Sequence, residues 1–245
     1  LIELSFAGTA AAAVIVAAGL LATGCPNANT YGTARTTPAG EVNHSISAEG
    51  FGARIETPTT DNNGTARTEK TNVFLPLPPS YHLRLGASDN IDVGFHVYNM
   101  SSLGFDAKLN IVKGRVDLGI DPGVQWYQYS IGVNDTKTKV NVVYLHGPLL
   151  IDFNVNKSLT FVLSPGVEYS YVSADVSGGS GNEAARSADG VFARIGLGIN
   201  IRASKKFAVH PEVTVFRNFR DEASLLYMAG IGFNFGNLPS FDDVE

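Results

Sequence analysis

Residues 81–124 read YHLRLGASDNIDVGFHVYNMSSLGFDAKLNIVKGRVDLGIDPGV, and the alternation inside this stretch decides the fold. Apolar side chains take every second place: Leu83 and Leu85, then Ile91, Val93, Phe95 and Val97, then Leu103, Phe105, Ala107, Leu109 and Ile111, then Val116, Leu118 and Ile120. A period of two marks strands with two unlike faces. The opposite face carries His82, Arg84, Asp92, Gly94, His96, Asp106, Lys108, Asn110, Asp117, Gly119 and Asp121. Both signs of charge recur there, with glycine, through successive short strands. A sheet in water sets polar residues outward singly; a repeated charged face suits an enclosed interior.

Composition agrees. The chain has 245 residues, 44% hydrophobic and 17% charged, with 26 glycines and one cysteine. Once an N-terminal leader is set aside, roughly 200 residues remain, enough for one barrel or sandwich. The charged fraction is below the usual ~25%. No internal window is apolar for the ~20 residues that a spanning helix needs. Low charge without a spanning helix fits a β-barrel whose apolar face meets lipid and whose polar face lines the interior. The formal charge of −5 offers no basic surface for nucleic acid. One cysteine excludes a disulfide framework within the chain.

Strands are expected over residues 42–55, 73–86, 91–98, 103–113, 115–130, 140–155, 159–175, 190–203, 207–217 and 225–235. Pro76, Pro78 and Pro79 cannot donate ladder hydrogen bonds, so the second strand is expected to bend or bulge there. Connections alternate short and long: 87–90, 113–115, 156–158 and 204–206 are tight, whereas 56–72, 132–139 and 177–189 are long. That rhythm predicts an all-β, antiparallel up-and-down transmembrane β-barrel of about ten strands (eight to ten). It resembles the Gram-negative outer-membrane β-barrel proteins. The resemblance implies residence in the bacterial outer membrane, contact with outer-membrane lipid, and termini in the periplasm on the short-turn side.

Residues 1–24, LIELSFAGTAAAAVIVAAGLLATG, are apolar on every face from Ala7 onward and read as a signal peptide. No Lys or Arg precedes the run. The ending Leu21-Ala22-Thr23-Gly24-Cys25 resembles a bacterial lipobox, with Ala22 where Leu is usual, and this implies lipidation of Cys25. Pro26 stands where lipoproteins kept in the inner membrane usually have Asp. Residues 25–41 are then expected to form a lipidated, flexible tether, 42–236 the barrel, and 237–245 a periplasmic tail.

In the last strand Tyr227, Ala229, Ile231, Phe233 and Phe235 alternate toward an aromatic end. The series resembles the C-terminal signal read by the barrel-assembly machinery, although residues 236–245 extend past it. Aromatics including Tyr81, Tyr98, Trp126, Tyr127, Tyr129, Tyr169, Tyr171, Phe207 and Tyr227 lie toward strand ends, where amphipathic rings favour the headgroup level. A lumen charge network is expected from Arg84, Asp92, His96, Asp106, Lys108, Asp117, Asp121, Glu168, Arg194, Arg202, His210 and Glu212. With about ten strands the interior is slim, since wide channels need ~16. A plugged or narrowly wet lumen is the expectation, with a structural or binding role or limited small-solute permeation.

Two other readings compete. An outer-membrane barrel enzyme acting on lipid or peptide needs a His with an acid or Ser at the outer rim. The omptin proteases pair Asp-Asp and Asp-His; here the only adjacent Asp pair is Asp242-Asp243, and His44-Ser45 and His146 lack matching surroundings. No enzyme activity and no cofactor are expected. No His/Cys cluster suggests a metal, and Asp61, Asn62 and Asn63 lack the carboxylate density of a calcium loop. A soluble lipocalin-like lipoprotein binding an apolar ligand would instead point the Val/Leu/Phe face inward.

Overall fold

A computed structural model describes residues 27–60, 66–133, 136–177, 184–219 and 225–244. The expected signal peptide and Cys25 lie outside these residues. Strand segments run β1 (Val42–Thr60), β2 (Ala66–Pro76), β3 (Ser80–Ser88), β4 (Ile91–Tyr98), β5 (Ser102–Val112) and β6 (Val116–Ile120). They continue as β7 (Gly123–Val133), β8 (Thr136–Asn156), β9 (Leu159–Ser177), β10 (Ala184–Ser204), β11 (Phe207–Asn218) and β12 (Leu225–Gly236). Each pairs antiparallel with its neighbours, and β12 returns to β1 from Asn43↔Gly236 to Arg54↔Leu225, closing the sheet.

Prolines cut two staves in half. β2 and β3 both pair with β1, and the register slips by one residue between Gly50↔Pro76 and Ser47↔Ser80. The prolines between them have no N–H to give, and Leu77 alone donates across, to the Glu49 carbonyl at 2.9 Å. Pro122 similarly separates β6 from β7, both of which lie between β5 and β8. Counting each pair as one stave gives a closed antiparallel barrel of ten strands.

The faces follow the alternation. On β4, Asp92 and His96 are buried while Ile91 and Val93 are exposed. Leu197, Ile195, Phe161, Phe153, Phe105 and Leu103 extend the exposed apolar surface around the wall. This polarity suits a barrel standing in hydrocarbon, and it is opposite to what a lipocalin-like protein requires.

Two expectations need correction. Much of the stretch read as a loop over 56–72 is strand, because β1 continues to Thr60 and β2 begins at Ala66. The 21-residue β8 and β10 also outrun the ~9–11 residues that cross a bilayer, so these hairpins project beyond it. The second correction is larger. The stretch read as a flexible tether is folded into the barrel: Ala28, Tyr31, Ala34, Arg35 and Thr37 are all buried. Its lower end turns into β1 at the short-turn rim, where the Gly40 N–H donates to the Gly86 carbonyl at 2.8 Å. Its upper end, at Asn27, lies deep inside at the level of Gln125, whose Oε1 accepts from the Asn27 N–H at 2.9 Å.

Candidate functional site

The candidate site is the lumen and the segment, residues 27–40, that fills it. The segment makes no ladder with the wall beyond a single bridge between Ala39 and Gly86. Wall side chains bind its backbone instead. Glu212 on β11 accepts from the N–H of Thr30 at 3.0 Å and of Tyr31 at 2.7 Å. Asp152 on β8 accepts from Ala34 N–H at 2.8 Å, and Asp92 on β4 from Thr37 N–H at 2.7 Å. Carboxylates reaching a buried N–H make short, charge-assisted bonds, stronger than neutral ones.

Side chains of the segment add to this. Asn27 Nδ2 and the Tyr31 hydroxyl donate to Glu49 on β1 at 2.7 and 2.9 Å, and Ser80 donates to the same carboxylate at 2.6 Å. Arg35 Nε lies 2.6 Å from Asp117, and its other side reaches Asp243 in the C-terminal tail. Close approach to the wall depends on glycine at Gly86, Gly119, Gly230 and Gly232. A Cβ on Gly86 would sit 2.0 Å from the Pro38 carbonyl oxygen, and one on Gly232 2.7 Å from Tyr31 Cβ and 2.9 Å from its ring.

The expected lumen residues all lie on the inner side. Arg84 gathers three carboxylates: Asp92 at 2.9 Å, Asp106 at 2.7 Å and Asp121 at 3.0 Å. Lys108 stands 3.5 Å from Asp92, and His96 Nε2 contacts Asp106. Arg194 and Glu168 are 3.5 Å apart; His210 is 3.7 Å from Glu212. Asp117 faces Arg35 rather than a wall cation. Arg202 donates to the Asn156 and Lys157 carbonyls and to Thr160. They thus form several separate clusters rather than one network; the segment touches those of Asp92, Asp117 and Glu212, while Arg194–Glu168 and Arg202 bond within the wall.

Sequence reasoning missed Glu49, Asp152, Gln125 and Arg35. Three of them carried a signal: Ser45-Ser47-Glu49 and Leu150-Asp152-Asn154 alternate as the other inner faces do, and Gln125 follows Gly123. Arg35 lies in a stretch without period. Nearer the long connections the interior turns apolar, with Ala28, Phe51, Ala53, Phe216 and Met228 packed together and Tyr127, Val140, Val142 and Tyr144 beyond.

No protein-family model matches this chain, nor does any curated protein sequence. Solved structures resemble it in fold. The attachment invasion locus protein Ail of Yersinia pestis is 11% identical, covering 80% of this chain and 99% of its own, with a TM-score of 0.33. The outer membrane protease OmpT of Escherichia coli is 8% identical, covering 82% and 98%, with a TM-score of 0.46. The translocator domain of the autotransporter NalP from Neisseria meningitidis is 12% identical, covering 93% and 97%, with a TM-score of 0.42. Likeness at this level assigns no activity.

Space is scarce around the segment. The void between Asn27, Asn29, His82, His96, His146 and Arg194 is about 10 Å³, the room of a single water, and the one bounded by Tyr31, Arg84 and Lys108 about 40 Å³. His96 is stacked under Tyr98 at 5.2 Å, so its pairing with Asp106 is enclosed within the wall. His44 lies elsewhere: its Nδ1 is 2.6 Å from the Tyr81 hydroxyl and its ring stacks on Phe235. Among the described residues no group of three or more His, Cys, Asp or Glu is placed to hold a metal ion.

Proposed function

We propose that this protein is a bacterial outer-membrane β-barrel with a structural or binding role, its lumen closed to solutes by its own N-terminal segment. One observation carries the reading: the backbone of residues 27–37 is held by Gln125, Glu212, Asp152 and Asp92 of the wall. A chain bonded by its amides to the lumen is part of the fold, and permeation falls to what leaks around it. The binding surface is then the rim of projecting hairpins, β1–β2 and β7 through β10, facing the cell exterior. The short turns and the C-terminal tail face the periplasm. Tyr227, Ile231, Phe233 and Phe235 of β12 present the alternating signal to the barrel-assembly machinery, and Ile231 and Phe233 point outward. Lipidation at Cys25 rests on the LATGC sequence alone, and the burial of Asn27 two residues on counts against an anchor in the leaflet at the short-turn rim; palmitate labelling that disappears in Cys25→Ala would support it all the same.

The reading assigns no catalytic role to the histidines. In planar bilayers the intact protein should show little or no conductance, whereas deletion of residues 27–39 should open steady channels in a barrel that still shifts in gel mobility between unheated and boiled samples. Equal, large conductance from both proteins would refute a closed lumen.

A further inference from the structure

The rim made by the short turns holds a cavity of about 320 Å³, at the lower end of the ~300–1,000 Å³ typical of small-ligand sites. It lies between the β8–β9 turn, the β10–β11 turn and residues 238–242 of the tail, and its charged lining is Lys157, Arg202, Lys205 and Asp242. Arg202 is 8% exposed, and its three hydrogen bonds go to the carbonyls of Asn156 and Lys157 and the hydroxyl of Thr160, all neutral. Its guanidinium lies 3.4 Å from the centre of the Phe241 ring.

The other inward cations are matched differently. Arg35, Arg84, Lys108 and Arg194 each face a carboxylate. Among the described residues Arg202 has no carboxylate at salt-bridge distance, and neither has Lys157. Lys205 shares Asp242 at 3.2 Å, the one acid in the lining. Three cations against one acid in the lining leave the cavity positive, and the carboxylates that Arg202 feels from the lumen, Asp117 and Asp152, lie beyond salt-bridge distance, so its buried guanidinium is only partly compensated.

The cavity also lies at a defined depth. Val155, Ile201 and Phe207, all exposed on the outer wall, come within a few residues of the two turns. At roughly 3.3 Å per residue, the cavity mouth is within about 10 Å of the edge of the apolar belt. That is the headgroup layer, where the abundant anions are phosphodiesters.

We propose that this cavity binds the phosphodiester headgroup of an anionic phospholipid from the leaflet at the short-turn rim, the phosphate sitting between Arg202, Lys157 and Lys205. Arg202 supplies the fixed charge, held in place by the turn carbonyls and the Phe241 ring. The lysines close over the anion, and Asp242 competes with it for Lys205. The proposal rests on the membrane reading, and its test separates the two.

Delipidated full-length protein in a zwitterionic detergent is offered phosphatidylglycerol and phosphatidylcholine in equal amounts, and retained lipid is read by native mass spectrometry. Selective retention of phosphatidylglycerol is expected. Lys157→Ala with Lys205→Ala, both at exposed turn positions, should weaken retention about thirtyfold, near ~1 kcal/mol per basic side chain; Asp242→Asn should strengthen it. Equal retention of both lipids, or no loss in the double variant, overturns the proposal. Displacement of the lipid by millimolar inorganic phosphate also overturns it, in favour of a free-anion site. If instead the protein fails to insert into phosphatidylcholine vesicles or shows no heat-dependent mobility, the membrane reading itself has failed.

Discussion

Arg84 holds three carboxylates with one guanidinium, and its own side chain is only 12% exposed. The desolvation of four charged groups is offset only while all are present. Replacing Arg84 by Met leaves Asp92, Asp106 and Asp121 close together without their main cation, and should cost about 3–5 kcal/mol in detergent unfolding followed by tryptophan fluorescence. Little or no loss would mean that Lys108 alone suffices. Asp243 works on a smaller scale. Its hydrogen bond from Arg35 holds its carboxyl below the ordinary range. A depressed carboxylate contributes while ionised, so the contact is fully present above about pH 4 and is lost as pH falls through the lower, folded value. Amides of residues 238–244 should therefore exchange faster with deuterium, after correction for intrinsic rates, once pH drops below that point. Asp243→Asn should exchange fast at every pH.

At the scale of elements, legibility depended on what each face touches. On β4 and β5 one face meets hydrocarbon and the other a polar lumen, so Ile91, Val93, Leu103 and Phe105 alternate cleanly with Asp92, His96, Asp106 and Lys108. Where β1, β2, β8 and β10 rise past the membrane, hydrocarbon no longer selects one face. There Thr, Asn, Lys and Ser follow one another without contrast, and the strand ends went unread. Residues 27–40 defeated the same logic for another reason. They take their hydrogen bonds from side chains of distant strands, so neither period two nor period 3.6 is imposed on them. The outward face is tested directly by Leu197→Arg, since Leu197 is 58% exposed at the middle of β10. Insertion should weaken by ~2–4 kcal/mol in folding titrations into lipid vesicles. A neutral result would place Leu197 away from the midplane or out of the bilayer.

At the scale of the whole molecule, the interior is graded from charged to apolar. Arg35, Asp117 and Asp243 bond near the short-turn rim, the Arg84 cluster and Glu212 lie above them, and Phe51, Phe216 and Met228 form an apolar layer around Ala28. The filling segment touches every level. It also meets the two strands that shut the ring: Glu49 belongs to β1, and Met228 of β12 accepts from the Ala28 N–H at 3.4 Å. Since Gly40 runs directly into β1, the stave that begins the wall tows its own contents along. The growing sheet is an open trough before β12 meets β1, and a cord tied to the first plank can settle into that trough as it curls. Pulling a loose end lengthwise through a finished hoop is the slower alternative, because every carboxylate on the way would grip it. On the first route, zipping the final seam and stoppering the bore are a single event, and a hollow tube never forms.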